Sequence, residues 1–247
     1  MKSSGLHSEE LERYSRQINL PEIGEHGQRL LKKAAVLIVG LGGLGSSAAF
    51  YLAAAGVGRL GLMDHDTVQP TNLNRQILYS VEVLGQPKAI AAKDSIKAFN
   101  PHIVLETYTH PFSTENGPEI CNNYDLVIDA TDNFNSKYLI NDLCAALKKP
   151  DIYGTASGFE GRITVFSFDH GPCLRCLFPE PAKSSQESNP VLGTVTGVIG
   201  SLQANEAVKI ILGIGDVLND RMVTFNAKTT TFTEYTIAKN PNCPICK

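Results

Sequence analysis

The chain has 247 residues, of which 43% are hydrophobic and 19% charged, and its formal net charge is −3. That balance excludes intrinsic disorder, and the mild negative charge argues against a broad electrostatic grip on nucleic acid. The length suits one large domain or two small ones.

The first ten residues are polar and acidic and lack a signal-peptide pattern, so a cytoplasmic protein is expected. A helix is predicted over 9–19 with Ser8 as N-cap, and a second over 27–32. Residues 34–58 carry no charge. By length alone they could span a membrane. Four glycines interrupt them, with β-branched residues before and alanines after. A buried strand (35–39), a tight turn and a buried helix (46–55) explain that change of character better.

A second strand over 59–63 ends at Asp64. A polar loop with Asp66, Asn72 and Arg75 follows, then a helix over 87–100 closed by Asn100-Pro101. Strands are predicted over 102–108 and 124–130, a helix over 135–148, and a short strand over 151–155. This alternation predicts a Rossmann-like, doubly wound, mostly parallel α/β sheet. The pattern then changes. Segments 161–169 and 222–237 alternate and are rich in Thr and Phe, which predicts an antiparallel C-terminal extension. Between them lie a polar loop over 179–190 and a helix over 198–212. With no separating linker, 1–247 reads as a single domain. Residues 1–160 form its alternating strand–helix part, and 161–247 an antiparallel part with a crossover loop over 179–196.

Four of the six cysteines form two CxxC pairs, Cys173/Cys176 and Cys243/Cys246. In a cytoplasmic chain such pairs predict a structural zinc site that staples the C-terminal tail to the middle of the chain. Cys144 falls on an apolar helical stripe and is expected in the core.

Gly40-Leu-Gly-Gly-Leu-Gly45 matches G-x-G-x-x-G between a strand and a helix, with glycines at 40, 42, 43 and 45. Such a turn lets backbone N–H groups and a helix N-terminus face phosphate. Asp64 follows about twenty residues on, where a carboxylate accepts ribose hydroxyls. By itself this fits several nucleotides. Arg75 and Lys88 add two cations of the kind that stabilise departing pyrophosphate, although solvated surface cations are the plain alternative. Asp132 follows the fourth strand. A carboxylate there can hold Mg²⁺, or it can simply cap the next helix.

Taken together, Arg13-Tyr-Ser-Arg16-Gln17, Gly40 to Gly45, Asp64-His-Asp66, Asn72 to Gln76, Gly85 to Lys88, Asp129-Ala-Thr-Asp132-Asn133, both CxxC pairs and Gly197 to Ala204 resemble the ThiF/MoeB/HesA family. That family is the bacterial branch of the ubiquitin-activating enzyme superfamily. The resemblance runs in order over nearly the whole chain. It implies a homodimer that uses ATP and Mg²⁺ to join AMP to the C-terminal Gly-Gly carboxylate of a small ubiquitin-like carrier protein, for sulfur transfer in cofactor biosynthesis. It implies that the glycine loop, Asp64, Asp66, Asn72 and Gln76 bind nucleotide. Arg75 and Lys88 would act on the phosphates and Asp132 through magnesium. Arg16 would reach into the partner subunit's site, and Zn²⁺ would be structural. Gly154, Thr155, Ala156 and Gly158 are candidates to line a channel for the thin carrier tail.

One departure stands out. Many relatives carry a cysteine in the crossover loop, whereas this chain has none between Cys176 and Cys243, and Gln186 falls near the usual position. Covalent capture there has no thiolate, so the activated carrier would pass directly to an external sulfur donor. Three other readings remain at this level: adenylation of another carboxylate such as a ribosomal peptide, a non-catalytic zinc-stabilised scaffold for a ubiquitin-like partner, and an NAD-dependent oxidoreductase.

Overall fold

The computed structural model describes residues 5–168, 171–179 and 190–246. Its centre is an eight-stranded sheet: β1 (Ala35–Val39), β2 (Arg59–Met63), β3 (Val104–Tyr108), β4 (Leu126–Asp129), β5 (Asp151–Ser157), β6 (Glu160–Phe166), β7 (Arg221–Asn226) and β8 (Thr231–Thr236). The spatial order is β3-β2-β1-β4-β5-β6-β7-β8. Strands β1 to β5 pair in parallel, and β5 to β8 pair antiparallel. The chain reverses its winding direction between β1 and β4. Ligands bind at such a point, outside the carboxyl ends of the strands.

The helices are α1 (Ser8–Arg13), α2 (Ser15–Ile18), α3 (Gly24–Lys33), α4 (Gly43–Ala55), α5 (Lys88–Phe99), α6 (Gly117–Asn122), α7 (Phe134–Leu147), α8 (Leu174–Leu177) and α9 (Gly193–Leu212). Every residue of β1 is buried, as expected for a central strand covered on both faces. On one face Val36, Ile38, Leu60 and Leu62 pack with α4, α5 and α9. On the other, Leu37, Val39 and Val127 pack with Ile140, Cys144 and Cys121. Both unpaired cysteines are fully buried, as expected for Cys144.

Several boundaries differ from expectation. The first predicted helix is two helices that break at Tyr14, and His7 rather than Ser8 is the N-cap. The break lets Tyr14 turn inward, where its hydroxyl accepts from Asn100 Nδ2 at 2.8 Å. Helix α4 starts at Gly43, so the second half of the glycine motif belongs to the helix. Helix α9 starts at Gly193, inside the predicted crossover loop. A Cβ at Gly200 would lie 2.2 Å from the Leu44 carbonyl, so small residues here allow α4 and α9 to touch backbone to backbone. Helix α6 was not predicted. Segment 222–237 divides into β7 and β8 at a hairpin where Thr230 has φ 54°. Gln186 and most of the crossover loop lie outside the described residues. Among the described residues, no helix is long and apolar enough to cross a membrane.

Candidate functional site

A cavity of about 570 Å³ opens at the carboxyl edge of the parallel strands, at the β1/β4 crossover. The glycine loop forms its floor. Gly40 has φ +91°, and a Cβ there would sit 2.7 Å from the Ala130 carbonyl, so only glycine lets β1 and the β4 loop approach this closely. Gly42 is the N-cap of α4 and has no side-chain cap, which leaves the first N–H groups of the helix for a ligand. Gly40, Gly42 and Gly43 line the cavity. Gly45 does not: a Cβ there would lie 1.9 Å from the Gly40 carbonyl, so its role is close packing of the turn.

Asp64 and Asp66 follow β2 and both line the cavity. Asp64 is buried. Its Oδ2 accepts from Leu41 N at 2.8 Å and its Oδ1 from Asp66 N at 2.9 Å, so the carboxylate is tied to the glycine loop while keeping acceptor capacity. Lys88, the first residue of α5, is 5% exposed and reaches Asp66 Oδ2 at 2.8 Å and Asp64 Oδ2 at 4.0 Å. Burial raises the Asp66 pKa, but the Lys88 hydrogen bond and charge outweigh it and hold the carboxyl below its usual range. Tyr79 donates to the Leu41 carbonyl at 3.0 Å. Burial, and then the charges of Asp64 and Asp66, push its pKa upward, so it keeps the proton it donates.

Arg75 and Gln76 enter from the loop after β2. The Arg75 guanidinium donates to the Thr71 carbonyl and to Asn74 Oδ1. Gln76 is 4% exposed, and its Oε1 has no hydrogen-bond partner. A buried acceptor left open at a cavity wall fits a bound group that donates to it. Asn72 is absent from the lining. Its Oδ1 accepts from Gln69 N at 2.9 Å, at the start of a turn. Arg16 is exposed on α2 and also absent from the lining.

Asp132 lines the cavity, and its capping alternative is excluded, since Asn133 is the N-cap of α7 and accepts from Ser136 N at 2.9 Å. The Asp132 carboxylate is exposed and, among the described residues, takes a 3.4 Å contact from Asn133 Nδ2. An exposed carboxylate facing this cavity suits a hard divalent cation such as Mg²⁺. Thr155 and Ala156, two of the four channel candidates, form part of the far wall with Ser157. Gly154 and Gly158 are not in the lining.

Sequence reading missed the wall made by His110, Pro111 and Phe112. They follow β3 at the same sheet edge, and the rule that ligands sit at strand carboxyl ends would have found them. It also missed Lys137 and Gln203, which are buried behind the site.

The four CxxC cysteines converge. Their sulfurs all lie within 4.8 Å of one another. Cys173 is 3.5 Å from Cys243 and 4.0 Å from Cys176, and Cys176 is 3.4 Å from Cys246. A tetrahedral ion with Zn–S bonds of about 2.3 Å needs sulfurs about 3.8 Å apart, so the set fits zinc. Burial raises the Cys243 thiol pKa, but N–H groups of Cys246 and Ile245 and the neighbouring thiols outweigh it and lower it to about 7. A group so placed readily becomes a thiolate ligand.

The ThiF family model matches residues 14–245. The chain belongs to the ThiF family. It is 44% identical over 247 residues to a sulfur carrier protein adenylyltransferase of Thermus thermophilus, covering 96% of this chain and 91% of that protein. It is 45% identical to the adenylyltransferase and sulfurtransferase MOCS3 of Anopheles gambiae, covering 98% of this chain but 56% of that one. The chain thus spans little more than half of the MOCS3 proteins. Among solved structures, E. coli MccB with ATP superposes with a TM-score of 0.83 at 22% identity, covering 95% of this chain and 74% of that one, and shares the fold.

Proposed function

We propose that this protein is an adenylyltransferase that joins AMP to the C-terminal Gly carboxylate of a small ubiquitin-like sulfur carrier for cofactor biosynthesis. One observation carries the reading. A single cavity gathers a helix N-terminus, Arg75, Lys88 and the exposed carboxylate of Asp132, and the end of β5 forms its far wall. The identity to the Thermus thermophilus protein supports the carrier as substrate. We read residues 1–247 as one adenylation domain, with its nucleotide part in 1–160 and its zinc-clamped part in 161–247.

The carrier carboxylate is ionised at pH 7 and needs no general base. Its oxygen attacks the α-phosphorus, the bond to the bridging oxygen breaks, and pyrophosphate leaves with the electron pair. The protein's task is in-line positioning and neutralisation of charge. The N-terminus of α4 and Gly40 to Gly43 cradle phosphate. Gly45 packs behind them. Asp64 holds the ribose, with Asp66 orienting Lys88 beside it. Lys88 and Arg75 stabilise the charge moving onto pyrophosphate, and Gln76 accepts from the nucleotide. Asn72 serves by shaping the loop that carries Arg75. Asp132 is the residue that would hold Mg²⁺, which would supply positive charge to the phosphates. Thr155 and Ala156 guide the Gly-Gly tail.

A second cavity of about 510 Å³ lies over β6 to β8 and is lined by Arg162, Met222, Thr224 and Tyr235. Thr155 pairs with Arg162 in the ladder, so this face continues the tail path, and we place the body of the carrier there. Exposed Ile77, Val81 and Leu84 support a homodimer in which Arg16 enters the partner's site. An external sulfur donor would take the acyl-adenylate onward. Reduced zinc thiolates suit the cytoplasm.

ATP–pyrophosphate exchange with a panel of Gly-Gly-ending carriers tests the reading. Exchange that depends on one carrier is expected. Exchange driven instead by a short peptide would replace the carrier with a peptide substrate, and nucleotide binding without exchange would leave a scaffold.

A further inference from the structure

Strands β4 and β5 run side by side until Asp129 pairs with Tyr153, and then part. Strand β4 gives way to the loop that carries Asp132, and β5 continues into the wall formed by Thr155 and Ala156. The cavity opens in the fork between them. Lys137 of α7 sits in that fork. It is 3% exposed, and its Nζ lies 3.2 Å from both Asp129 carboxylate oxygens, 2.7 Å from the Gly154 carbonyl and 4.7 Å from the Tyr153 ring centre. Asp129 in turn accepts from Thr131 N at 3.0 Å and from Thr131 Oγ1 at 2.6 Å. One ammonium group is thus joined, through a fully buried carboxylate, to the residue before Asp132. It is joined directly to the residue before Thr155.

Gln203 of α9 approaches from the opposite face of the sheet. Its Nε2 donates to the Asp129 carbonyl at 2.8 Å and to the Ile152 carbonyl at 2.9 Å. Gln203 therefore pins the base of the fork, and Lys137 sets the spacing of its two arms.

We infer that Lys137 is a positioning residue for the adenylation site: it fixes the Asp132 loop relative to the β5 wall, and so aligns the metal-binding carboxylate with the carboxylate tail that attacks. It is buried and does not line the cavity. Three contacts in fixed directions give it one position, and a buried ion pair with further hydrogen bonds has little freedom to relax. Misplacement of a reacting group by about 1 Å can cost on the order of 100-fold in rate.

This inference rests on the adenylation reading, and the experiment separates the two. Carrier-dependent exchange is measured for the wild type, Lys137→Met, Lys137→Arg and the pair Lys137→Met/Asp129→Asn, which leaves no lone buried charge. Zinc content and melting temperature are recorded alongside, and Mg-ATP affinity is measured by calorimetry without carrier. Lys137→Met and the pair should lower kcat about 10- to 100-fold and raise the magnesium concentration for half-maximal rate. Arginine should restore most of the rate. Losses of kcat that scale only with the folded fraction, at an unchanged magnesium requirement, overturn the positioning role. Absence of exchange in the wild type would instead sink the adenylation reading. Calorimetry still decides the clamp in that case: a magnesium requirement for ATP binding unmoved by Lys137→Met would overturn it.

Discussion

Asn133 caps α7 so that Asp132 does not have to. The Asn133 side chain takes the Ser136 N–H at 2.9 Å, and the neighbouring carboxylate faces the cavity. Adjacent residues therefore divide a structural and a chemical task, and single substitutions separate them. Asp132→Ala should lower pyrophosphate exchange by about 10²- to 10³-fold, the scale of a lost transition-state charge contact, with unchanged melting. Asn133→Ala should lower stability by about 1 kcal/mol. Chemical denaturation and exchange assays on both variants check this pair, and a stability loss in Asp132→Ala equal to that in Asn133→Ala would contradict it.

Asp151 sets an expected pH dependence. Its side chain is buried and its Oδ1 has no partner. Burial, and next the charge of Asp129, raise its pKa well above 3.8, against the opposing pull of Lys137. A raised folded-state value means that its contribution to stability is fully present below the unfolded value. That contribution is lost as pH rises toward the folded one. Asp151→Asn cannot ionise. The variant should therefore gain stability relative to wild type as pH climbs from 4 towards 8, and urea unfolding across that range will show whether the two curves diverge.

The cysteine cluster predicts one zinc ion per chain. Cys173→Ser or Cys243→Ser should abolish metal binding and cost on the order of several kcal/mol, as expected when metal affinity is coupled to folding. Metal analysis and thermal melts read the outcome. Intact zinc in either variant would remove that sulfur from the ligand set.

Arg16 has no contact with its own chain's cavity, so its proposed role lies in a partner. Arg16→Ala and Asp132→Ala homodimers should each be inactive. Mixed dimers should regain about half of the sites, because one of the two sites then combines an intact Asp132 from one subunit with an intact Arg16 from the other. No recovery on mixing would confine Arg16 to its own surface.

The order of β1 to β5, the glycine turn after β1 and the cysteine pairs were legible in the sequence. Each is encoded within a few residues by apolar runs, turn chemistry or metal-ligand spacing. Candidate residues at strand carboxyl ends, Asp64 and Asp132, were legible for the same reason. What only the tertiary structure decided lies where distant segments meet. That Asn72 Oδ1 caps a turn was decided by the fold, since a capping carboxamide and a phosphate contact look alike in sequence. The start of α9 at Gly193 depends on its close passage against α4, a contact between segments far apart in the chain. The buried clamp of Lys137, Asp129 and Gly154 was invisible because a lysine on a helix is by default a solvated one. Burial by β5, α7 and the Tyr153 ring makes it an interior group, and no local pattern of residues records that burial.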